Sequence, residues 1–341
     1  MHSKKIKIVL LLLLLPIWFV FFGEAYLRLI KPQPILPRYI MSGDFGIRVN
    51  IPSVEYEHKT PDYTVTLKTN NKGLRANNEI PYDNNNKAYR VVLLGDSFGM
   101  GYGVNLEDTF SEKYRVQLEL ILKRPVELIN LAVSGFGTAE QLLMFENEGV
   151  RYKPDLVIST WHDTDPEENI RSKLFKLENG ELVRDAKAYL PGVKQREFLF
   201  KYPLFRYLAE NSHLYNLLRG RAASWVKRLL LFRNKQSLQS TGSNTSGDSE
   251  LTSQILSRLN SEIKDSGAKH IIMSIPEKKS RGSYIETMPI ELIEKYNALT
   301  LTQTLSENSE QLLYWELSHG HFTPYGCNLV AGALLTHTLA E

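Results

Sequence analysis

The sequence predicts an α/β fold built on a doubly wound parallel sheet, and three observations lead to this prediction. Short apolar runs without charge, such as residues 91–94 (VVLL), are typical of strands that are buried on both faces of a sheet. Stretches with helical spacing separate these runs, and parallel strands need such connections. Glycine or polar residues follow each run, as at a strand that ends in a turn. A chain of 341 residues that is 43% hydrophobic can bury such a core.

The elements of the predicted sheet follow one another from residue 89 onwards. Besides residues 91–94, the predicted strands are residues 126–132, 155–160, 269–275 and, as a fifth, 311–317. Helices are predicted over residues 107–123 and 139–150, and a last helix begins near Pro324, because proline fits the first helical turn. Parallel strands present their carboxyl ends at one edge, where ligands bind in such folds. We therefore expect one edge to carry the residues that follow the strands: Ser97, Gly135, residues 163–165 and His321.

The amino-terminal segment predicts a membrane anchor over residues 1–30. Three lysines precede residues 8–22, an apolar run without charge that only Pro16 interrupts. The run is intermediate between the core of a signal peptide and a full span, and no small-residue cleavage site follows it. We therefore expect an uncleaved transmembrane helix rather than a removed signal peptide. Lysines before the span predict a cytoplasmic amino terminus and place the predicted α/β domain outside the cytoplasm, in the periplasm or at the cell surface, with membrane lipid as a partner.

Residues 31–87 are predicted to form a stalk followed by an extension that contains strands. Three prolines near its start disfavour a helix and stiffen the exit from the membrane. Residues 63–69 (YTVTLKT) alternate like a half-buried strand, and residues 70–75 predict a turn that ends in Gly-Leu-Arg. The predicted α/β domain is expected to occupy residues 88–341.

Residues 171–266 form a predicted insertion between the third and fourth strands. Within residues 194–235, ten lysines and arginines occur with only two glutamates and alternate with aromatic residues, which predicts basic amphipathic helices. Such helices either lie on anionic lipid or cap the edge of the sheet as a lid that grips an acidic polymer. A solvated helical subdomain fits the pattern equally well. Residues 237–250 are rich in serine and glycine, which predicts a flexible loop.

The composition excludes several classes of function. With 41 basic and 38 acidic residues, the net charge of +3 is too small to favour nucleic acid as a partner. The single cysteine, Cys327, excludes an internal disulfide and a cysteine-rich metal site. His162, Asp163 and His319 are candidate metal ligands by residue type, but they lack the His-x-x-x-His spacing of a helical site. We therefore expect neither a metal nor a cofactor.

Ser97 is the candidate nucleophile. It follows a buried strand at the edge where parallel sheets bind ligands, and three nearby glycines allow the backbone to turn tightly behind it. Residues 95–99 (GDSFG) also match the G-x-S-x-G elbow of α/β-hydrolases, a different serine-hydrolase fold. That fold places several strands before its nucleophile, whereas Ser97 follows the first strong buried strand. A serine esterase of the α/β-hydrolase type is therefore the second choice.

Four blocks of residues resemble the motifs of the SGNH, or GDSL-like, hydrolase family. They are Gly95-Asp96-Ser97 after the first strand, Asn130 with Gly135 after the second, a polar turn after the third, and His321 followed by Pro324 and Gly326. The resemblance covers residues 89–169 and 269–339, and it extends to family members with a membrane anchor and a strand-rich extension. It implies a flavodoxin-like parallel sheet, joined here to an amino-terminal transmembrane helix and a helical insertion.

The resemblance implies a serine esterase mechanism without a cofactor. Ser97 would attack an ester carbonyl, and His321 would take its proton and later pass it to the leaving alcohol. The backbone N–H groups of Ser97 and Gly135 would hold the oxyanion, since glycine permits a close backbone approach. Hydrolysis and transfer to a second alcohol share the acyl-enzyme step, so an esterase and an acyltransferase are both consistent. The expected substrates are O-acyl esters of an envelope polysaccharide or lipid.

The chain departs from the family pattern in two places. The family uses an asparagine of the third block as a further oxyanion donor, where this chain has Thr164 or, in a shifted register, His162. The family also orients its histidine with an aspartate two or three residues earlier, where this chain has His319 and Ser318. The candidates to orient the histidine are three other carboxylates: Asp165, Asp163 and Glu316. These departures leave a non-enzymatic alternative, a membrane-tethered binding or assembly factor for surface carbohydrate.

Overall fold

The computed structural model describes residues 2–185, 192–222, 225, 245–318 and 320–340, with side chains from residue 14 in the first segment and from residue 249 in the fourth. These residues fall into two units. The smaller contains the described parts of Met1–Pro37, His58–Thr64 and Phe198–Ser243. The larger contains those of Arg38–Glu57, Val65–Glu197 and Asn244–Glu341.

The larger unit is organised around a parallel sheet. Its five strands are Tyr89–Leu94, Val126–Asn130, Leu156–Trp161, Lys269–Ser274 and Leu299–Thr300. Numbered along the chain, they lie in the order 2-1-3-4-5, and every neighbouring pair is parallel. This is the strand order of doubly wound, flavodoxin-like sheets, so the predicted fold class is confirmed for this part of the chain.

Helices cover both faces of this sheet, which explains why its first strand, Tyr89–Leu94, ends in four apolar residues. Alternate residues of Tyr89–Leu94 belong to two separate hydrophobic cores, one on each face, and the last four are fully buried. Helices Thr138–Asn147 and Thr245–Asp265 contribute to the core on one face. Helices Phe110–Leu122 and Pro324–Ala340 contribute to the core on the other.

The fifth strand is not the predicted one. Residues 311–317 form a loop with one isolated bridge, from Tyr314 to Phe322, and Leu299–Thr300 occupies the sheet edge instead. The apolar residues of this loop suggested a strand because they are needed for packing, since Leu313 and Tyr314 are buried in the second core. A strand of two residues is too short to be recognised from alternation.

The remaining elements are short. Three antiparallel pairs are Ile40–Ser42 with Arg48–Asn50, Phe175–Glu178 with Glu181–Arg184, and Glu277–Ser280 with Ser283–Ile285. Two further strands of the extension are Glu55–Lys59 and Thr64–Lys68, and the second confirms the strand predicted at residues 63–69. Further helices are Ser97–Met100, Asp165–Ser172, Ile290–Tyr296 and Thr302–Glu307, and 3-10 turns occur at Asp44–Gly46, Leu106–Asp108 and Gly149–Tyr152.

The insertion after the third strand contains more than the predicted helices. It includes the hairpin formed by Phe175–Glu178 and Glu181–Arg184, which the basic and aromatic pattern did not indicate. Its helices are Val193–Phe200, Pro203–Asn211 and residues 213–222. The loop predicted at residues 237–250 is wrong for residues 245–250, which begin the helix Thr245–Asp265, and its other residues lie outside the described part of the chain.

The amino-terminal helix, His2–Ile30, belongs to the smaller unit together with Pro203–Asn211 and residues 213–222. Within the described part of the chain, no helix combines the length and the apolar character needed to cross a membrane. The anchor predicted for residues 1–30 includes side chains before residue 14, which lie outside the described residues, so it stays a prediction.

Candidate active site

Ser97 begins a four-residue helix directly after the first strand of the sheet. The helix starts here because the carboxylate of Asp96 accepts a hydrogen bond from the backbone N–H of Phe98 at 2.8 Å, as N-caps do. Gly95, which precedes Asp96, lies close to the neighbouring strand Leu156–Trp161. A Cβ atom on Gly95 would lie 2.2 Å from Oγ1 of Thr160 in that strand. Glycine therefore lets the strand end against its neighbour, and this fixes where Ser97 leaves the sheet.

A buried arginine from the extension holds the loop that follows Ser97. Arg75, the last residue of the predicted turn, donates to the backbone carbonyl of Met100 at 2.9 Å and also to those of Gly101 and Val104. Burial lowers the pKa of Arg75 to about 10, so its guanidinium stays charged at neutral pH. The turn was predicted from its sequence, but the role of this arginine was not.

His321 meets Ser97 at the carboxyl edge of the sheet. Its Nε2 atom lies 2.7 Å from Oγ of Ser97, which is a hydrogen-bond distance. The imidazole packs against the rings of Phe98 and Tyr102, with centroid separations of 4.8 and 4.9 Å. The backbone carbonyl of His321 accepts a hydrogen bond from the backbone N–H of Trp315 at 2.8 Å. A histidine in this position can accept the serine proton directly.

Gly135 lies in the loop after the second strand, and this loop is joined to the one that precedes Ser97. The backbone N–H of Val133 donates to the carbonyl of Gly95 at 3.0 Å. Gly135 has a φ of 78°, in the left-handed region that favours glycine. Among the described residues, the backbone N–H groups of Ser97 and Gly135 donate to no protein acceptor. Both groups can therefore donate to a bound molecule.

Two side chains of the extension cover the Gly135 loop. The guanidinium of Arg48 donates to the carbonyl of Ser134 at 3.4 Å, and its Nη1 atom would lie 2.6 Å from a Cβ atom on Gly135. The hydroxyl of Tyr39 lies 2.6 Å from Oγ of Ser134. Sequence reasoning missed both residues, because neither belongs to a recognisable motif and both reach the loop only through the tertiary fold.

Of the two candidates for a third oxyanion donor, His162 lies beside the residue that follows Ser97. Its ring packs against Phe98, with centroids 5.1 Å apart. Thr164 is exposed, and its Oγ1 atom lies 3.0 Å from Nδ1 of His162. An oxygen of Asp163 lies 2.8 Å from the same nitrogen. The neighbours of His162 thus engage Nδ1 and leave Nε2 as the nitrogen that can serve a ligand.

The structure does not bring the three candidate orienting carboxylates to His321. Asp165 is buried and accepts a hydrogen bond from the hydroxyl of Thr138 at 3.0 Å. The carboxylate of Asp163 lies 2.8 Å from Nδ1 of His162. Glu316 is exposed and, in the part of the chain that the structure describes, makes no hydrogen bond or ion pair. The contacts of the imidazole of His321 include those to Ser97 and to the rings of Phe98 and Tyr102.

Buried carboxyl groups lie close to the candidate site. Glu140 accepts a hydrogen bond from the backbone N–H of Gly137 at 3.0 Å, and burial raises the pKa of Glu140 to about 7. Burial also raises the pKa of Asp96. For Asp165, burial and then the charge of Asp96 raise the pKa well above its usual range. A carboxyl group that favours its neutral form stabilises a charged imidazole poorly, which is a second argument against Asp165 as the orienting acid.

The residues considered as metal ligands are only partly described. His162 and Asp163 are neighbours at the end of the third strand, and His319 lies outside the described residues. Over residues 14–318, apart from the gaps given above, and over 320–340, no group of three or more histidine, cysteine or acidic side chains is arranged to hold a metal ion.

A cavity of about 510 Å³ lies in the larger unit, beside the second strand. Its walls are mainly apolar and include Ile47, Val49, Leu131 and Val133, with Lys72 among the polar residues. Neither Ser97 nor His321 lines it. The cavity therefore does not identify where an ester would meet the serine.

Comparison with known proteins yields only distant structural similarity. No protein-family model matches the chain, and no curated protein matches it. Among solved structures, TesA is similar with a TM-score of 0.41 and 10% identity over 73% of this chain and 97% of TesA. A lipolytic protein of the G-D-S-L family from Desulfitobacterium hafniense has a TM-score of 0.41 and 12% identity over 73% of this chain and 99% of its own. Axe2, an acetylxylan esterase from Geobacillus stearothermophilus, has a TM-score of 0.39 and 14% identity over 73% and 93%. Scores this low support no argument about function.

Proposed function

We propose that this chain is an SGNH-type serine hydrolase or acyltransferase that acts on O-acyl esters. The observation that carries the proposal is the 2.7 Å distance between Oγ of Ser97 and Nε2 of His321. These residues are 224 positions apart in the sequence, and each lies in a block that resembles the family motifs. The α/β-hydrolase alternative is not supported, because Ser97 follows the first strand of the sheet and not a later one.

The reaction proceeds through an acyl-enzyme. Oγ of Ser97 bonds to the ester carbonyl carbon while Nε2 of His321 takes the serine proton, and the carbonyl oxygen becomes negatively charged. The intermediate then collapses, the bond to the alcohol breaks, and the histidine passes its proton to the leaving oxygen. Water or a second alcohol attacks the acyl group in the same way, with the histidine again as base. The first acceptor gives hydrolysis and the second gives acyl transfer.

Two backbone groups and one side chain support the oxyanion in this proposal. The backbone donors are the N–H groups of Ser97 and Gly135, which have no acceptor among the described residues. We assign the third donor to His162. The ring donates from Nε2 in the tautomer in which Nδ1 accepts from the hydroxyl of Thr164, and not in the one in which Nδ1 donates to the carboxylate of Asp163. Thr164 then acts through His162 and does not touch the substrate.

Labelling with a fluorophosphonate tests the proposal, because this reagent reacts with a serine only when a base activates it. The full chain should gain one adduct in an intact-mass measurement, and peptide mapping should place the adduct on Ser97. Ser97→Ala should abolish labelling. Ser134→Ala is the matched control, since Ser134 lies at the same edge but its hydroxyl contacts Tyr39 instead of a histidine. Labelling that persists in Ser97→Ala would contradict the proposal.

Absence of labelling in the folded wild-type chain would favour the alternative of a carbohydrate-binding or assembly factor. The observation that motivates this alternative is that none of the three candidate carboxylates reaches His321. A second measurement, binding of O-acetylated and de-acetylated polysaccharide to the same protein, would then identify the binding role.

We further propose that the chain is anchored in a membrane, with the catalytic domain extracytoplasmic and an envelope polysaccharide or lipid as the substrate. Support comes from the apolar run at residues 8–22 and from the three lysines before it. The test is membrane fractionation of the full chain, which should stay with the membrane after a wash at high pH. Release of the protein by that wash would contradict the proposed membrane anchor, but it would not bear on the proposed esterase activity.

A further inference from the structure

Within the smaller unit, the amino-terminal helix is hydrogen-bonded to the turn between the helices Pro203–Asn211 and 213–222 of the insertion. The carboxylate of Glu24 accepts hydrogen bonds from the hydroxyl of Ser212 at 2.8 Å and from the backbone N–H groups of His213 and Leu214 at 3.0 and 2.8 Å. A carboxylate at the start of helix 213–222 is favourable, because the unpaired N–H groups there carry positive partial charge. The contact fixes the start of that helix to residue 24.

A second contact joins the amino-terminal helix to the end of the helix Pro203–Asn211. Arg28 donates to the backbone carbonyl of Asn211, the last residue of Pro203–Asn211, at 2.8 Å. Cations are favourable at a helix carboxyl end for the reason that anions are favourable at the other end. The side chain of Leu214 also packs near Gly23, since a Cβ atom there would lie 3.6 Å from Leu214 Cδ2.

These contacts set the level of the helix pair relative to the apolar run. Glu24 comes two residues after Phe22, where the run ends, and two residues of α-helix rise only about 3 Å. A bilayer that held residues 8–22 would therefore have its headgroup region at the helix pair formed by Pro203–Asn211 and residues 213–222. Aromatic and basic side chains concentrate in that region in membrane proteins.

The helix pair has apolar and aromatic side chains of the kind that is found at the headgroup region of a bilayer. Phe205 and Ala209 turn inward, and Phe205 packs against Tyr215 with a centroid separation of 5.7 Å. Leu204 and Tyr207, on the opposite side, are exposed. Further exposed apolar residues of the same unit are Phe198, Leu199, Tyr202 and Leu218. A water-exposed apolar surface of this kind marks an interaction site.

The charge of the same helices selects the partner. Residues 198–222 contain four basic residues, Lys201, Arg206, Arg219 and Arg221, against one acidic residue, Glu210. Juxtamembrane basic residues are attracted to anionic headgroups, whereas a protein partner would need a matching acidic surface. We therefore propose that Pro203–Asn211 and residues 213–222 lie flat on an anionic bilayer, with Leu204 and Tyr207 inserted at the headgroup level. The inference rests on the proposed anchor and is independent of the esterase chemistry.

A fluorescent probe at one exposed leucine tests this placement. The full-length Leu204→Cys variant would carry an NBD fluorophore and would be reconstituted in phosphatidylcholine vesicles with or without phosphatidylglycerol. Leu120→Cys is the matched control, since Leu120 is 73% exposed and Leu204 is 71% exposed, but Leu120 lies on a helix of the larger unit. Lipids with a nitroxide near the headgroup should quench the probe at position 204 by about half in vesicles that contain phosphatidylglycerol and by less in phosphatidylcholine alone, whereas quenching at position 120 should not depend on the anionic lipid.

Three results would overturn the inference. The first is quenching at position 204 that does not depend on the anionic lipid, and the second is no quenching at position 204 in protein that floats with the vesicles. The third is a blue-shifted probe at position 204 without lipid, which would mean that protein covers the site. Failure to float at all would remove the anchor as well, so the two failures are distinguishable. Tyr207→Cys repeats the measurement should Leu204→Cys not fold. Replacing Arg206 and Arg219 by Gln should reduce the quenching in the anionic vesicles alone.

Discussion

A buried arginine lies at each end of the first sheet strand, Tyr89–Leu94. The two arginines differ in the groups that balance their positive charge. At the amino end, Arg90 forms an ion pair with Glu127 at 2.9 Å and donates to four backbone carbonyls. At the carboxyl end, Arg75 donates only to carbonyls of the loop after Ser97 and has no ion pair with a described carboxylate.

If the proposed function is right, this difference separates an end that stabilises the fold from an end that takes part in the reaction. A carboxylate neutralises Arg90, so its contribution is limited to fixing the surrounding loops. Arg75 donates to carbonyl dipoles and makes no ion pair with a described carboxylate, and in the proposed mechanism its positive potential acts on the edge where negative charge develops during ester attack. We therefore expect substitutions at the carboxyl end to change turnover, whereas equivalent substitutions at the amino end should change stability only.

The largest effect is expected from removal of the base at the carboxyl end. His321→Ala should lower kcat for p-nitrophenyl acetate hydrolysis about 100- to 10,000-fold, because it removes the base that contacts Oγ of Ser97. His270→Asn is the control at the amino end of the fourth strand, where His270 contacts the hydroxyl of Ser159 at 2.8 Å. Its kcat should equal that of the wild type. Unchanged turnover in His321→Ala would refute the assignment of the base.

The arginine pair tests the comparison directly. Arg75→Met and Arg90→Met each leave several buried carbonyls without a donor, and Arg90→Met also leaves Glu127 unpaired. Each should lower the free energy of unfolding by about 3 kcal/mol, measured by denaturant titration. Below the unfolding transition, only Arg75→Met should also lower kcat. A similar loss of turnover in both variants would show that the two ends do not differ as described.

The pH dependence of stability should reveal Glu140 at the carboxyl end. Its pKa is raised from 4.5 to about 7 in the folded chain, so the unfolded chain releases this proton first as pH rises. The raised folded pKa thus contributes stability that is present below pH 4.5 and is lost as pH rises to about 7, by about 3 kcal/mol. Glu140→Gln, which retains an oxygen acceptor for Gly137, should flatten thermal-unfolding curves between these pH values. An unaltered slope would exclude a role for this carboxyl group.

The smallest effect is expected from a glycine pair. Gly135 and Gly180 have similar φ values of 78° and 83°, but a Cβ atom on Gly135 would meet Arg48 at 2.6 Å and one on Gly180 would meet nothing within 4 Å. Gly180→Ala should cost about 1 kcal/mol of stability through its backbone conformation alone. Gly135→Ala should cost more and should also lower kcat about tenfold, because the oxyanion N–H shifts. If Gly135→Ala and Gly180→Ala lose the same stability and turnover is unchanged, the side chain of Arg48 moves aside without cost.

Local patterns predicted the sheet well where its strands are long and buried on both faces. The run at residues 91–94 needs no tertiary information, since every position is apolar and a glycine follows. The edge strand Leu299–Thr300 could not be found in this way, because two residues carry no period. Residues 311–317 gave the opposite error: Leu313 and Tyr314 are buried in the core on one face of the sheet, but the segment does not pair in the sheet.

The candidate site shows the same limit. Ser97 was found from its position after a buried strand, and His321 mainly from a resemblance of motifs. The covering residues Arg48 and Tyr39 come from the extension and reach the Gly135 loop only through the fold, so no spacing in the sequence could have indicated them. The preference for His162 over Thr164 likewise depends on a ring contact with Phe98 that the sequence does not encode locally.

The contact between Ser97 and His321 also makes the proposed nucleophile a reporter of folding. A chain in which the first three strands have paired, but the last helix has not docked, presents a serine without its imidazole, and that serine has the reactivity of an ordinary alcohol. Because 224 positions separate the two residues, the pair closes only when the distant ends of the domain have met. The rate at which refolding protein becomes sensitive to a fluorophosphonate would therefore report when this contact forms, without any spectroscopic probe.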